Sequence, residues 1–238
     1  MSGAGGRWGI LVVAKAPVAG LAKTRLAAVV GAQAAAELAA TALLDTLAAT
    51  AALDVPTVVA WTGDTHAAAR AAEVVRALRS CAAVVPQRGA DLGSRLAHAH
   101  VDAARCLQGA AVVQIGMDTP QVVPSLLRRC GDALVSEDTD AVLGPAADGG
   151  WWVLGARSPR WASILSGVPM SSPDTCAETL AGLREAGARV RRLPMLRDVD
   201  TYDDARAVAA AAPRTRFAHA WIDAVATAGS ASSGRVRR

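Results

Sequence analysis

The chain repeats one unit: a short apolar run, a loop with glycine or proline, then an alanine-rich helical stretch. Apolar runs with β-branched residues stand at 8–14, 56–61, 82–86, 110–116, 140–144 and 190–194. Helical stretches follow them: from about Lys23 past Ala49 (in one piece, or two around Gly31), then one ending near Arg79, then 91–107, 120–135, 171–186 and one reaching Ala212. Runs this short and this uniformly apolar suit strands buried on both faces. Their alternation with helices predicts an α/β protein: a mainly parallel sheet with helices on both faces.

With 238 residues, 52% of them hydrophobic and 19% charged, the chain can bury a sizeable core. No uninterrupted apolar run reaches membrane-spanning length. The most apolar segment, 26–52, carries Gln33, Glu37 and Asp45 and reads as a helix of a soluble protein. The run at 8–14 is too short and too poorly flanked for a signal peptide, so a cytoplasmic protein is expected. Cysteines at 81, 106, 130 and 176 lack Cys-x-x-Cys spacing, which predicts buried free thiols and neither a zinc site nor a redox pair. The net charge of +4 resides in residues 213–238, where five arginines (214, 216, 235, 237 and 238) face only Asp223. The body is therefore neutral. With 3% aromatic residues it offers neither a basic groove nor stacking platforms for nucleic acid. Residues 1–212 are expected to form one domain. Residues 213–238 are expected to be an extension, with a docked amphipathic piece at 217–225 and a disordered Ser/Gly/Arg tail from Gly229.

The most informative run is Val112-Val113-Gln114-Ile115-Gly116-Met117-Asp118-Thr119-Pro120. Gly and Pro stop the strand and leave the Asp118 carboxylate at its carboxyl end, where open α/β sheets bind ligands. A carboxylate there suits a divalent cation holding phosphate oxygens, or else a cap for the next helix. The first strand leads into Lys15-Ala16-Pro17-Val18-Ala19-Gly20-Leu21-Ala22-Lys23-Thr24-Arg25-Leu26, which holds the only two lysines of the chain. Strand, basic glycine-containing loop and helix form a phosphate-binding arrangement, although the P-loop pattern is absent.

Other loops add candidates. Gln87, with a donor and an acceptor, suits a nucleobase edge. Gly89 and Gly93 would let the backbone approach a ligand, and Asp91 could cap the next helix. In Asp148-Gly149-Gly150-Trp151-Trp152 one ring can pack inward while the other floors a pocket. Asp200, in Arg197-Asp198-Val199-Asp200-Thr201, is a candidate second metal ligand, with Asp203 and Asp204 as first-turn helix acids. His98 and His100 do not share a helix face and are assigned no chemistry.

Five blocks together resemble a bacterial family of GT-A-like transferases, the radical-SAM/selenodomain-associated or arsenosugar-type glycosyltransferases. They are residues 14–26, 87–93, 115–120, 143–152, and Pro173-Asp174-Thr175 with 197–201. The resemblance covers about residues 8–210. It implies the nucleotide-diphospho-sugar transferase fold, a Rossmann-like three-layer sandwich that binds a nucleotide and Mg²⁺ or Mn²⁺. By motif position it implies metal ligation by Asp118 and Asp200. Lys15, Gly20, Lys23, Arg25, Gln87, Gly89 and Gly93 would hold the nucleotide and its phosphates. Gly149, Gly150 and Trp151 would face the sugar or acceptor, and Asp118, Lys23 and Asp148 would carry the chemistry, Asp148 as base. The expected activity is glycosyl transfer from a nucleotide sugar to a small-molecule acceptor. The first loop also looks like that of 2-phospho-lactate guanylyltransferases, so nucleotidyl transfer from a triphosphate is the alternative. A non-catalytic nucleotide-binding module is a third reading, since no Asp-x-Asp stands at 118.

Overall fold

The computed structural model describes residues 7–234, the side chains of 229–234 excepted. In β1 (Trp8–Lys15) the four positions from Gly9 to Val12 are all buried, which places the strand inside a sheet. It pairs in parallel with β2 (Thr57–Thr62) on one side and β4 (Ala111–Gly116) on the other. β3 (Ala83–Pro86) adds to β2, also in parallel. Beyond β4 lie β6 (Trp151–Ala156), β5 (Ala141–Pro145) and β7 (Val190–Arg192), giving the order β3-β2-β1-β4-β6-β5-β7. β6 runs antiparallel to both its neighbours, and the other pairings are parallel. This is a Rossmann-like α/β fold with a mainly parallel sheet.

The order places a switch point between β1 and β4. The chain leaves β1 toward β2 and β3, then crosses back to β4 on the far side. The connection from β3 back to β4 therefore runs over the opposite face of the sheet from the connections β1 to β2 and β2 to β3, and a crevice opens at the carboxyl ends of β1 and β4.

One helical layer holds α1 (Thr24–Val30), α2 (Ala32–Ala51), α3 (Ala71–Arg79) and α5 (Pro124–Val135). The other holds α4 (Leu92–Cys106), the short α6 (Pro159–Ala162), a 3₁₀ turn at Ser163–Gly167 and α7 (Thr175–Glu185). α8 (Tyr202–Ala211) and α9 (Arg216–Gly234) stack on the outside of α1 and α2. This explains the apolar character of α2. Leu43, Leu44 and Leu47 face the sheet, while Ala35, Leu38 and Ala42 face α8 and α9, so the helix is apolar around its circumference. By length and composition it could cross a membrane, yet 72% of its apolar window is buried inside the fold. Asp45, one of its two acids, accepts from the first amides of α9, Arg216 N at 3.1 Å and Phe217 N at 2.9 Å. Phe217 is fully buried.

Of the two alternatives for the helix from Lys23, the structure takes the two-piece one, broken at Gly31 with φ 87°. Other sequence expectations need correction. α1 has only seven residues, so its dipole is small and the loop's side chains carry the positive charge. The helix expected from Pro120 starts at Pro124, because Thr119 to Val122 closes a turn first and Pro124 then takes the first helical position. α7 starts at Thr175 behind Asp174 and not at Pro173. α9 extends to Gly234, beyond the expected 217–225 and into the stretch expected to be disordered. Residues 235–238 of that tail lie outside the described residues. Of the four free cysteines only Cys130 is buried, which pushes its thiol up to about 12; Cys106 is exposed.

His100 on α4 is fully buried, neither ring nitrogen has a partner, and burial pushes its pKa down to about 3. Below pH 6.5 the unfolded chain binds a proton that the folded chain refuses, so stability falls as pH drops from about 6.5 to 3. The loss is on the order of 5 kcal/mol. A His100→Leu protein should lack this part of the acid loss and be about 1–3 kcal/mol more stable at pH 7. Urea unfolding of both proteins across that pH range checks it.

Candidate functional site

The crevice between β1 and β4 holds two adjoining cavities of about 450 and 290 Å³, with Asp118 in the wall of both. Asp118 is fixed from three sides. Its carbonyl accepts from Val199 N at 2.9 Å, its Oδ2 accepts from Lys23 Nζ at 2.7 Å, and its other oxygen folds back over Gly116. A Cβ at residue 116 would stand 2.8 Å from Asp118 Oδ1, so glycine is what lets the carboxylate lie there.

Lys23 sits in the left-handed region, with φ 48° and ψ 51°. That conformation is unfavourable for a residue with a side chain, and the ion pair holds it. Burial opposes the ammonium's charge, but Asp118 in contact, with Asp200 and Asp198 nearby, more than offsets this and raises its pKa. On the rim, Arg25 pairs with Asp200 at 2.9 Å.

The 197–201 segment is stitched in place by long-range bonds. Leu196 N donates to Pro145 O at 3.1 Å, Ala147 N donates to Leu196 O at 2.9 Å, and the Gln121 amide donates to Arg197 O. Thr201 and Asp204 form a capping box on α8, and Arg197 pairs with Asp204 at 2.7 Å. Asp204 is thus a structural acid. Asp198 is the residue sequence reasoning missed. Burial, then the carboxylates of Asp118 and Asp148, push its pKa up to about 6, with Lys23 opposing. The doublet Asp-x-Asp at 198–200 was the available signal.

The larger cavity gathers Lys15, Lys23, Gln87, Asp118 and Asp200, with Arg95 and Thr24 added to the expected set. Lys15 Nζ donates to Leu21 O at 2.6 Å, and Arg95 Nε to Gly89 O at 3.1 Å. Gln87 differs from expectation. Its Nε2 donates to Ala14 O at 2.8 Å and to Ala60 O at 3.0 Å, so both amide protons are used and only Oε1 remains. It offers an acceptor alone. Asp91 caps α4 by accepting from Ser94 N at 2.7 Å.

The smaller cavity gathers Asp118, Asp148, Gly150 and Trp151, together with Gln114 and Ser171 to Ser172, which the sequence did not single out. Trp152 points the other way into the core, donating to Pro194 O at 2.9 Å. Asp148 is exposed and accepts from Gly150 N at 2.8 Å.

Four expected glycines line neither cavity. Gly93 serves packing: a Cβ there would lie 2.2 Å from Leu165 O, so the close approach is to the 3₁₀ turn and not to a ligand. Gly89 abuts the first turn of α4. Gly20 supplies a turn with φ +80° and open space beside it. Gly149 combines φ +94° with Pro173 O only 2.0 Å from a would-be Cβ. The last contrast is testable. Gly20→Ala meets only the backbone cost, about 1 kcal/mol, whereas Gly149→Ala must also push the Pro173 backbone away and should cost about 3 kcal/mol or more. Urea unfolding of the two variants measures the difference.

Asp118 lies in the wall of both cavities, Asp148 in the smaller and Asp200 in the larger, with Asp198 close enough to feel the charges of Asp118 and Asp148; among the described residues only Lys23 and Arg25 are in ionic contact with any of the four. Among the described residues no three carboxylate, imidazole or thiol groups already stand in a metal-binding arrangement, and Asp118 and Asp200 each hold a cationic side chain instead of sharing an open site. The donors are all hard carboxylate oxygens, outnumbering the cations by two. That composition fits Mg²⁺ or Mn²⁺ better than a softer metal.

No curated protein matches the chain by sequence. Among solved structures, one from Desulfovibrio desulfuricans G20, provisionally named a nucleotide-diphospho-sugar transferase, is 28% identical with a TM-score of 0.80, covering 94% of this chain and 97% of that one. A cytidylyltransferase from Leptospira borgpetersenii serovar Hardjo-bovis (strain JB197) is 15% identical with a TM-score of 0.54, covering 95% of each chain. The inositol-1-phosphate CTP transferase from T. maritima is 14% identical with a TM-score of 0.51, covering 84% of this chain and 91% of that one. The last two share the fold alone. Residues 43–172, more than half of the sequence, match the profile of DUF2064, described as an uncharacterized protein conserved in bacteria, and the chain belongs to that family.

Proposed function

We propose that this protein is a metal-dependent transferase that moves a glycosyl group from a nucleoside-diphosphate sugar to a small-molecule hydroxyl, as in the radical-SAM/selenodomain-associated and arsenosugar-type enzymes its motifs resemble. The observation that carries the reading is the under-neutralised carboxylate cluster at the junction of two cavities, one bordered by Lys15, Lys23 and Arg95 and the other by no cationic side chain. The name of the Desulfovibrio relative supports the same class.

In this reading Asp118 and Asp200, with Asp198 beside them, hold Mg²⁺ or Mn²⁺. The cation, when bound, neutralises charge on the departing diphosphate. Lys23 exchanges its partner, from Asp118 to a phosphate oxygen, and Lys15 and Arg95 add fixed positive charge along the same wall. Gln87 Oε1 accepts from a base edge. Leu92, exposed and shared by both cavities, gives an apolar lip that keeps water from the junction. Asp148, with Oδ1 held by Gly150 N, takes the proton of the acceptor hydroxyl at its other oxygen.

The second reading is nucleotidyl transfer from a nucleoside triphosphate. Its specific support is the basic wall of the larger cavity, which suits three phosphates as well as two. A thermal-shift panel of nucleoside triphosphates and nucleotide sugars with Mn²⁺ separates the two. Glycosyl transfer expects the larger shift from a nucleotide sugar; a larger shift from an intact triphosphate replaces it with the second reading. Asp118→Asn should lower turnover by about 10²–10³-fold, and because it leaves the Lys23 ammonium buried without its carboxylate it should also cost about 3 kcal/mol of stability in urea unfolding, so turnover is compared under conditions where both proteins are folded. A fully active Asp118→Asn protein rules both readings out.

A further inference from the structure

Gln114 is an anomaly in the sheet. It lies in the middle of β4, 1% exposed, among Val112, Val113 and Ile115, and its paired residues on the two neighbouring strands are Leu11 and Leu154. Its Oε1 is buried without a hydrogen-bond partner. An apolar side chain would serve the sheet better, since an unpaired buried amide oxygen is destabilising. Gln114 does border the smaller cavity, and so does the indole of Trp151, whose Nε1 is also buried and unpartnered. The two come to one face of the sheet through a register shift beside Gly144, where Val153 pairs with Gly144 and Trp151 with Pro145, leaving Trp152 as the extra residue.

We infer that the smaller cavity is a binding site for an uncharged, hydroxyl-bearing ring, a sugar or cyclitol without a phosphate, read by Gln114 Oε1 and Trp151 Nε1. This rests on the reading of the larger cavity as the nucleotide site. A hydroxyl answers both orphaned atoms, because it donates to the amide oxygen and accepts from the indole N–H. A phosphate at neutral pH has no proton for Gln114. It would also meet Asp118 and Asp148 in a wall that contains no lysine, arginine or histidine. Ser171, Ser172 and Thr175 add uncharged polar groups to the wall, and Leu96, Met117 and Met170 give it, with the tryptophan, an apolar part that suits the C–H face of a ring. The geometry therefore selects against a phosphorylated acceptor.

Two arms test this on the full chain with Mn²⁺. In the first, calorimetry compares a nucleoside diphosphate with its hexose ester, for the uridine, guanosine, cytidine and adenosine series. In the second, saturation-transfer NMR presents glucose and myo-inositol beside glucose 1-phosphate and glycerol 3-phosphate. If the ring belongs to the donor, the hexose ester binds at least tenfold more tightly than the diphosphate. If it belongs to the acceptor, the free neutral ring binds and the phosphorylated ligands do not. In either case Gln114→Leu should erase the preference while diphosphate affinity stays within threefold. Trp151→Phe, which keeps an aromatic face but loses the pyrrole ring with its N–H, should weaken neutral-ring binding by at least fivefold. Tighter binding of the phosphorylated ligands, preference unchanged in both variants, or no neutral ring bound in either arm overturns the inference. Failure of the nucleotide reading shows separately, as no diphosphate binding in the parent protein, and the second arm still decides.

Discussion

The ion pair between Lys23 and Asp118, 2.7 Å long and spanning 95 residues, ties the two strand ends that define the crevice. β1 and β4 are neighbours in the sheet, but their outgoing loops lead to separate helices, α1 and α5. Without a link across the gap, each loop would be an ordinary surface connection. The pair holds Lys23 in a left-handed conformation that a long side chain does not choose, and it fixes the carboxylate that both cavities share. It also places a cation where several carboxylates crowd, which lowers the cost of gathering them. Strain in the backbone and charge at the junction are thus two sides of one arrangement.

From that junction the two cavities take opposite characters. The larger one inherits the basic loop after β1 and the arginine of α4. The smaller one inherits the inner face of β4 and the Asp-Gly-Gly turn, whose shape is set by Gly149 lying against the Pro173 carbonyl. In the proposed reading, the charged half of a donor would take the larger cavity and its neutral half the smaller. The carboxylates of the candidate site sit on loops, but these loops are bolted together and to the sheet by long-range bonds such as Val199 N to Asp118 O. Such fixing is what preorganised electrostatics requires.

The site was readable in part, and the reasons are local. Lysine occurs only at 15 and 23, so the first loop stood out. Asp118 stood out because Gly and Pro end its strand. Roles that depend on a partner far away in sequence could not be read. Gln87 has a donor on paper, yet the carbonyls of β1 and β2 take both its protons. Gly93 looked like a ligand contact, yet Leu165 O occupies that space. Asp198 and Asp200 were indistinguishable by composition, and only packing buries the first and hands the second to Arg25. Gln114 was visible as a polar residue inside an apolar strand, but its meaning needed the cavity beside it.

Sequence by itself determined the alternation of strand and helix, the parallel character of the sheet and the places where loops carry charge. Those follow from side-chain periodicity and from the stopping power of glycine and proline, which act within a few residues. Tertiary structure decided that β6 runs against its neighbours, that α2 is covered on both sides, and which polar atoms are satisfied and which are left waiting. These depend on contacts between segments well apart in sequence, up to more than a hundred residues for α2 and α9, where no local rule constrains the choice and only the packed chain brings the partners together.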